Sequence, residues 1–352
     1  MTLTLEEMTN ELTNTRIIKP IKLRTPKEIK NQIPLSEKAG QTILESRQQI
    51  ENILDRVDDR FLIITGPCSI DNPKAAIEYA QKLKKLSEQV DDKILLVMRT
   101  YFEKPRTTLG WKGLIYDPDL DGTYNIEKGL LKARKILKEI TEMGVSTATE
   151  FLDTLTPQYI DDLISWVAIG ARTSESQPHR ELASGLSMPV GFKNNTAGEI
   201  ETAVNAVKTA NSPHKFLGVT ENGEYAIFPT KGNPYSHIIL RGGNGKPNYN
   251  PESVQIAMNL LEKAQLPKNI IIDCSHENSG KQYTKQVGVF QEVLNQRIKG
   301  NLNIIGMMLE SYLYEGNQNM TGTKYGVSKT DSCINWLTTE RIIKQAHESL
   351  NN

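Results

Sequence analysis

Eight short apolar runs, separated by helical patterns, set the limits on what this chain can fold into. They lie at 61–65, 94–98, 145–150, 166–170, 189–192, 237–240, 270–273 and 304–309. Most are apolar at consecutive positions, so each strand buries both faces. Between them, helices are signalled by apolar spacing and by start and stop residues. Asn72-Pro73, Thr156-Pro157 and Asn250-Pro251 read as a cap followed by a first-turn proline, and Gly144 closes a helix over 126–143. Further helices are expected through 180–183, over 199–210 and after Asp331. Buried strands alternating with amphipathic helices make a parallel sheet covered by helices. Eight such units favour a closed α/β architecture, a (β/α)8 TIM barrel, over an open doubly wound sheet. No Gly-x-Gly-x-x-Gly follows the first strand, which counts against dinucleotide binding.

Two stretches fall outside the repeat. Residues 1–60 read as an N-terminal extension, an oligomer or regulatory arm ahead of a catalytic barrel over 61–352. Within it a helix over 36–57 carries Ile43, Ile50, Ile53 and Leu54 on one face, suited to packing on a neighbour or to an ordinary surface position. Residues 215–230, with Asn222-Gly223 at the turn, read as an inserted β-hairpin.

The strand ends carry the chemistry. In a closed parallel barrel they converge on one mouth. Here they read Cys68, Arg99, Glu150, Arg172, Lys193, Arg241, His276 and Glu310, with Lys104 and Arg106 close behind in MRTYFEKPRTTLGWKG. Two cations about 4 Å apart repel by about 4 kcal/mol at an effective dielectric near 20, so gathering several is costly until anions arrive. Arginine forks suit carboxylate and phosphate, and the number of cations points to more than one anionic group. Cys68, His276, Glu310 and a nearby acid offer a donor set for manganese, iron, cobalt or zinc. Each also has a plainer role: Cys68 as a small core residue, His276 as a hydrogen-bonded barrel histidine. Glu150 reads as an ion-pair partner of the cations or as a base for water. A Schiff-base aldolase using Lys193 or Lys104, and a non-catalytic phosphometabolite sensor, are the competing readings.

The remaining bounds exclude whole classes. Lys+Arg 42 against Asp+Glu 42 gives a formal net charge of +0, which offers nucleic acid no global attraction. No apolar stretch is long enough to span a bilayer, and the N-terminus shows no signal pattern. Three widely spaced cysteines suit a reducing compartment, so a cytoplasmic protein is expected.

The segments GPCSI, MRTYFEKPRTTLGWKG, TATEFLD, AIGARTSESQ, HRELASGLS, PVGFKN, HIILRGG and IIDCSHENS closely resemble the type I, enterobacterial-like 3-deoxy-D-arabino-heptulosonate 7-phosphate (DAHP) synthases, from about residue 61 to 336. That resemblance implies metal-dependent condensation of phosphoenolpyruvate with erythrose 4-phosphate and water, the first step of the shikimate pathway. It implies Cys68, His276, Glu310 and Asp331 as metal ligands, with manganese first among the candidate ions. It implies Lys104, Glu150 and His276 as catalytic residues. Arg99, Arg172, Lys193 and Arg241 would grip phosphoenolpyruvate, with Gly170 and Ala171 among the substrate-binding positions. Lys104 would reach both substrates, and Arg106 and Thr107 would hold the sugar phosphate. Feedback inhibition by an aromatic amino acid follows from the family, with Asp153, Gln158, Ser187 and Phe216 at the effector positions. TATEFLD and GNPYSHII lean toward tryptophan. A homodimer or homotetramer is implied. The sequence departs from the family pattern at SKTD, where an isoleucine is expected in place of Lys329, and in a short loop after GNQ. Both bear on Asp331.

Overall fold

The computed structural model describes residues 4–351. Among the described residues there are ten strands: β1 Phe61–Gly66, β2 Ile94–Arg99, β3 Ser146–Glu150, β4 Trp166–Ile169, β5 Val190–Lys193, β6 Lys215–Val219, β7 Tyr225–Pro229, β8 Ser236–Leu240, β9 Ile270–Asp273 and β10 Ile304–Glu310. Eight of them close into a parallel barrel in the order β1-β10-β9-β8-β5-β4-β3-β2. Every residue of the eight barrel strands is buried, as consecutive apolar positions require. β6 and β7 pair antiparallel outside the barrel and alternate between exposed and half-buried positions. Their turn uses three residues, 221–223, closed by Thr220 N–H donating to the Glu224 carbonyl at 2.8 Å. Gly223 sits at φ +83°, where a side chain would be strained.

The barrel interior is filled in layers by alternate strand residues, among them Leu62, Ile64, Leu95, Val97, Ala148, Trp166, Ala168, Ile239, Ile271 and Met308. Trp166 fits because Gly191 lacks a Cβ, which would lie 2.6 Å from the indole Cζ2. Its Nε1–H donates to His237 Nε2 at 3.1 Å. Burial pushes that imidazole down to about 4, so it stays neutral and able to accept.

The helix Glu37–Leu54 belongs to this core. Ile50, Ile53 and Leu54 join the interior cluster, so the stripe read as facing a neighbour packs against this chain's own barrel. Arg47 fixes its approach, donating to the carbonyls of Asp161 (2.7 Å) and Ile164 (2.9 Å).

Asn72 and Asn250 cap their helices as expected, accepting from Ala75 N–H and Ser253 N–H. Thr156 does not. Its backbone is already helical, and its hydroxyl donates instead to Glu103 Oε1 at 3.2 Å. A helix between β9 and β10, Gln286–Ile298, was not expected, and it buries Gln286 and Gln296 on its inner face.

Candidate active site

Two residues beyond the uppermost apolar layer, period-two alternation turns one more side chain per strand toward the axis. Around the barrel these are Gly66, Glu310, Asp273, Arg241, Lys193, Gly170, Glu150 and Arg99. Three cations and three carboxylates leave this ring electrically neutral. The pairing is direct. Arg99 Nη2 lies 3.2 Å from Glu310 Oε1, and Lys193 Nζ lies 3.3 Å from Asp273 Oδ2 and 3.8 Å from Glu150 Oε2. Buried charges survive only when matched, and all six are buried. The glycines make room: a Cβ on Gly170 would stand 2.3 Å from Glu150 Oε1. The Arg99 guanidinium also lies over the Tyr101 ring at 3.9 Å, with Nη1 unpartnered.

On this floor stands a donor cluster. Ligand atoms of Cys68, Glu310 and Asp331 lie within 4.8 Å of one another. His276 is not in that group, but its Nε2 is 3.9 Å from Glu310 Oε1. Lys104 Nζ is 3.1 Å from both the sulfur and the carbonyl oxygen of Cys68. Burial, then Glu310, pushes the Cys68 thiol up to about 12, against the pull of Lys104. Burial would raise Asp331 too, yet Lys104 and His276 hold it below the usual carboxylate range. A soft thiol, an imidazole and two carboxylates match a borderline divalent ion. The chemistry of these donors and the mutual distances of Cys68, Glu310 and Asp331 therefore fit a divalent metal ion.

Asp331 reaches this cluster on a long connection after β10, and Lys329 explains how. The unexpected lysine donates from Nζ to the carbonyls of Met320 (2.7 Å) and Gly322 (2.6 Å). Gln318 ties the same loop by donating to Lys324 O (2.7 Å) and Val327 O (2.9 Å). Lys329 thus pins the loop that leads to Asp331.

The mouth above is a cavity of about 730 Å³, lined by Lys104, Arg106, Thr107, Glu150, Ala171, Arg172, Lys193, Arg241, His276 and Asp331 among others. Arg172 Nη2 donates to Thr107 Oγ1 at 2.9 Å, and Arg106 Nε to Trp111 O at 2.8 Å. Substrate-binding positions expected from four separate segments therefore share one mouth. Lys104 is a poor Schiff-base lysine. Burial favours its neutral form, but Cys68 and Glu310 raise it above its ordinary value.

Three groups escaped the sequence reading. Asp273 is wholly buried between Lys193 and His276, and its signal was the acid ending an Ile-Ile-Ile strand. Gln286 clasps the backbone of Glu310, accepting its N–H (2.9 Å) and donating to its carbonyl (3.1 Å). Glu103 lies behind the Lys104 loop. Its carboxyl accepts from Asp153 N–H and Thr156 Oγ1, and burial, then Asp153, pushes it up to about 8.

The four effector positions divide. Gln158 and Phe216 line a second cavity of about 370 Å³, with Leu182, Ser184, Phe228 and Thr230. Phe216 and Phe228 stack there at 5.6 Å. Ser187 is exposed just beyond Leu186 of the lining. Asp153 is not among the lining residues, and accepts from Tyr116 OH at 2.9 Å and from Leu155 N–H at 2.7 Å.

Known proteins match this arrangement over almost the whole chain. Residues 32–344 match the DAHP synthetase I family. The chain is 49% identical over 344 residues to the Tyr-sensitive phospho-2-dehydro-3-deoxyheptonate aldolase of Escherichia coli K12, covering 97% of this chain and 96% of that protein. It is 48% identical over 340 residues to the Trp-sensitive enzyme of the same organism, covering 96% and 97%. A solved phospho-2-dehydro-3-deoxyheptonate aldolase from Francisella tularensis SCHU S4 superposes with a TM-score of 0.93 at 49% identity, covering 95% of this chain and 98% of that one. The chain belongs to the DAHP synthetase I family.

Proposed function

We propose that this protein joins phosphoenolpyruvate to erythrose 4-phosphate, with addition of water, to give DAHP and inorganic phosphate. The observation that carries this reading is the meeting of the Cys68, Glu310 and Asp331 donors, with His276 3.9 Å from Glu310, on the floor of a cation-lined mouth. A bound divalent ion would supply Lewis acidity toward an aldehyde oxygen. Cys68, His276, Glu310 and Asp331 hold it, with manganese the first candidate.

The protein's own groups do the rest. Lys193, Arg241, Arg172 and Arg99 fix the carboxylate and phosphate of phosphoenolpyruvate, with Gly170 and Ala171 alongside. Arg106 and Thr107 hold the sugar phosphate, and Lys104 reaches toward both. Held this way, C3 of phosphoenolpyruvate faces the aldehyde carbon, and a new C–C bond forms between them. Positive charge develops at C2, where water adds. Glu150 orients that water and takes its proton. The bond from C2 to the phosphate oxygen then breaks, and the cation cluster stabilises the departing phosphate. Arg99 and Lys193 are paired on this neutral floor, whereas Arg241 and the rim residues Arg106 and Arg172 have no carboxylate partner among the described residues and are placed to take the extra charge of the substrates.

The test is phosphate release. It is expected only with both substrates present, to fall to background after exhaustive chelation, and to return with added manganese. Turnover that persists without metal would sink the reading.

The second cavity is the proposed effector site. Its stacked phenyl rings and the polar Gln158 and Ser184 suit an aromatic amino acid. The Tyr-sensitive and Trp-sensitive relatives stand at 49% and 48% identity, so overall likeness does not select between them. Tryptophan is the first candidate. Inhibition titrations with the three aromatic amino acids are expected to find one effector, and Gln158→Ala to weaken it about tenfold while uninhibited kcat holds. A flat response to all three removes the regulatory role.

Exposed apolar residues on the arm (Ile17, Ile18, Ile21) and on the hairpin (Leu217, Tyr225, Ile227) support a homodimer or homotetramer, with residues 1–60 as the arm. Among the described residues no helix is long and apolar enough to cross a membrane. Three free, buried cysteines suit a reducing cytoplasm.

A further inference from the structure

Asp273 ends β9 with no exposed surface. Its Oδ1 accepts from Ser275 Oγ (2.6 Å) and Ser275 N–H (3.0 Å). Its Oδ2 lies 2.8 Å from His276 Nδ1 and 3.3 Å from Lys193 Nζ, yet makes no aligned hydrogen bond with either. One oxygen therefore faces two nitrogens on opposite sides of the site. His276 turns its other nitrogen, Nε2, toward Glu310 and the donor cluster. Lys193 extends into the cavity between Asp273 and Glu150.

His276 is held firmly for this. Its backbone sits at φ +54°, a left-handed conformation that costs a non-glycine residue energy unless its surroundings enforce it. They do so at three points. Ser275 Oγ lies 2.8 Å from Nδ1, Lys281 N–H donates to the His276 carbonyl at 2.7 Å, and Asp273 stands behind the ring. Arg99 pairs with Glu310 through Oε1, the oxygen that His276 Nε2 faces.

We propose that Asp273 is a positioning residue that couples the metal-binding half of the site to the anion-binding half, by dividing one carboxylate oxygen between His276 and Lys193. The inference rests on the function proposed above and adds a residue to it. Whatever draws the His276 ring toward Glu310 changes how the shared oxygen divides, and so changes what Lys193 offers an incoming phosphate or carboxylate. Coupling between two sites is reciprocal, so the anion must tighten the ion by the same factor as the ion tightens the anion.

Asp273→Asn keeps the shape and removes the charge. Two affinities are measured on the full-length enzyme without turnover: manganese affinity with no substrate, and phosphoenolpyruvate affinity with and without manganese. Manganese affinity is expected to fall by about 10- to 100-fold, the cost of losing the outer-shell carboxylate beside a metal-ligating histidine. The factor by which manganese tightens phosphoenolpyruvate is expected to collapse to about one. Manganese affinity within about threefold of the parent, or an unchanged coupling factor, overturns the proposal, as does a parent coupling factor of one. A purely structural role would lower both affinities together and leave the factor intact, which also overturns it. Should the asparagine variant not fold, Ser275→Ala removes only the hydroxyl that touches Oδ1 and lies beside Nδ1. Manganese affinity is then expected to drop several-fold while metal-free phosphoenolpyruvate affinity holds, and no change overturns the proposal. The outcomes separate from failure of the proposed function: a parent enzyme that turns over without metal defeats that function, whereas an asparagine variant with parental coupling defeats only the role of Asp273.

Discussion

Alanine at position 68 is expected to cost at least about a thousandfold in turnover while the fold survives. The thiol is one of three donors within 4.8 Å of each other, and its sulfur lies 3.1 Å from Lys104 Nζ. Losing it removes a proposed soft ligand and a fixed contact for Lys104, the lysine proposed to reach both substrates. Lewis-acid stabilisation is worth several kcal/mol of barrier, and about 4 kcal/mol is a thousandfold. Only a small side chain is lost from the core, so metal-free melting should shift by a few degrees at most. Phosphate release and metal content, measured on the same preparation, check this. A Cys68→Ala enzyme that keeps a tenth of its activity with stoichiometric metal would take Cys68 out of the ligand set.

Lys193→Ala is expected to damage stability and catalysis together. The ammonium is the cation nearest both Glu150 and Asp273 on the barrel floor. Burial alone would raise Asp273, but His276 and Lys193 hold it well below the usual carboxylate range. Removing one partner of a buried ion pair typically costs about 3–5 kcal/mol, because the other is left uncompensated. At roughly 2 °C per kcal/mol for a chain this size, melting should fall by about 5–10 °C. Turnover should fall by about 10- to 150-fold, since the proposed charge-assisted contact to phosphoenolpyruvate, worth about 1.5–3 kcal/mol, goes as well. Calorimetry and kinetics on one sample separate the two effects. Unchanged melting with weakened phosphoenolpyruvate use would mean the floor does not depend on this lysine.

The barrel was legible because its strands are buried on both faces, and eight such runs alternating with helices favour a closed parallel sheet over an open one. The mouth was legible because six of the eight barrel strands place a charged side chain where they end, Gly66 and Gly170 being the exceptions. Other features follow a logic that spacing does not carry. The helix Gln286–Ile298 turns two glutamines inward, one to grip the Glu310 backbone, and so lacks a clean apolar stripe. Thr156 has the residue type of a cap but serves Glu103, a partner 53 positions away. The stripe on Glu37–Leu54 announced a buried face without saying what it would cover. Asp273 sat in plain view beside Cys274 and Ser275, yet only the meeting of β5 and β9 residues across the barrel gives it Lys193 as a partner. The same limit divides the effector positions: Gln158 and Phe216 meet in one cavity, while Asp153 is engaged by Tyr116.

The hairpin turn and the amino-terminal helix Pro26–Gln32 share a fastening. Lys27 N–H donates to the Glu221 carbonyl, and Lys30 Nζ spans Glu221 (2.6 Å) and Asp161 (3.3 Å), the latter on the wall of the second cavity. One ammonium thus works like a hinge pin joining three segments far apart along the chain. Tension on the helix Pro26–Gln32 would therefore load Asp161 and the wall of the second cavity first, and the barrel mouth only after.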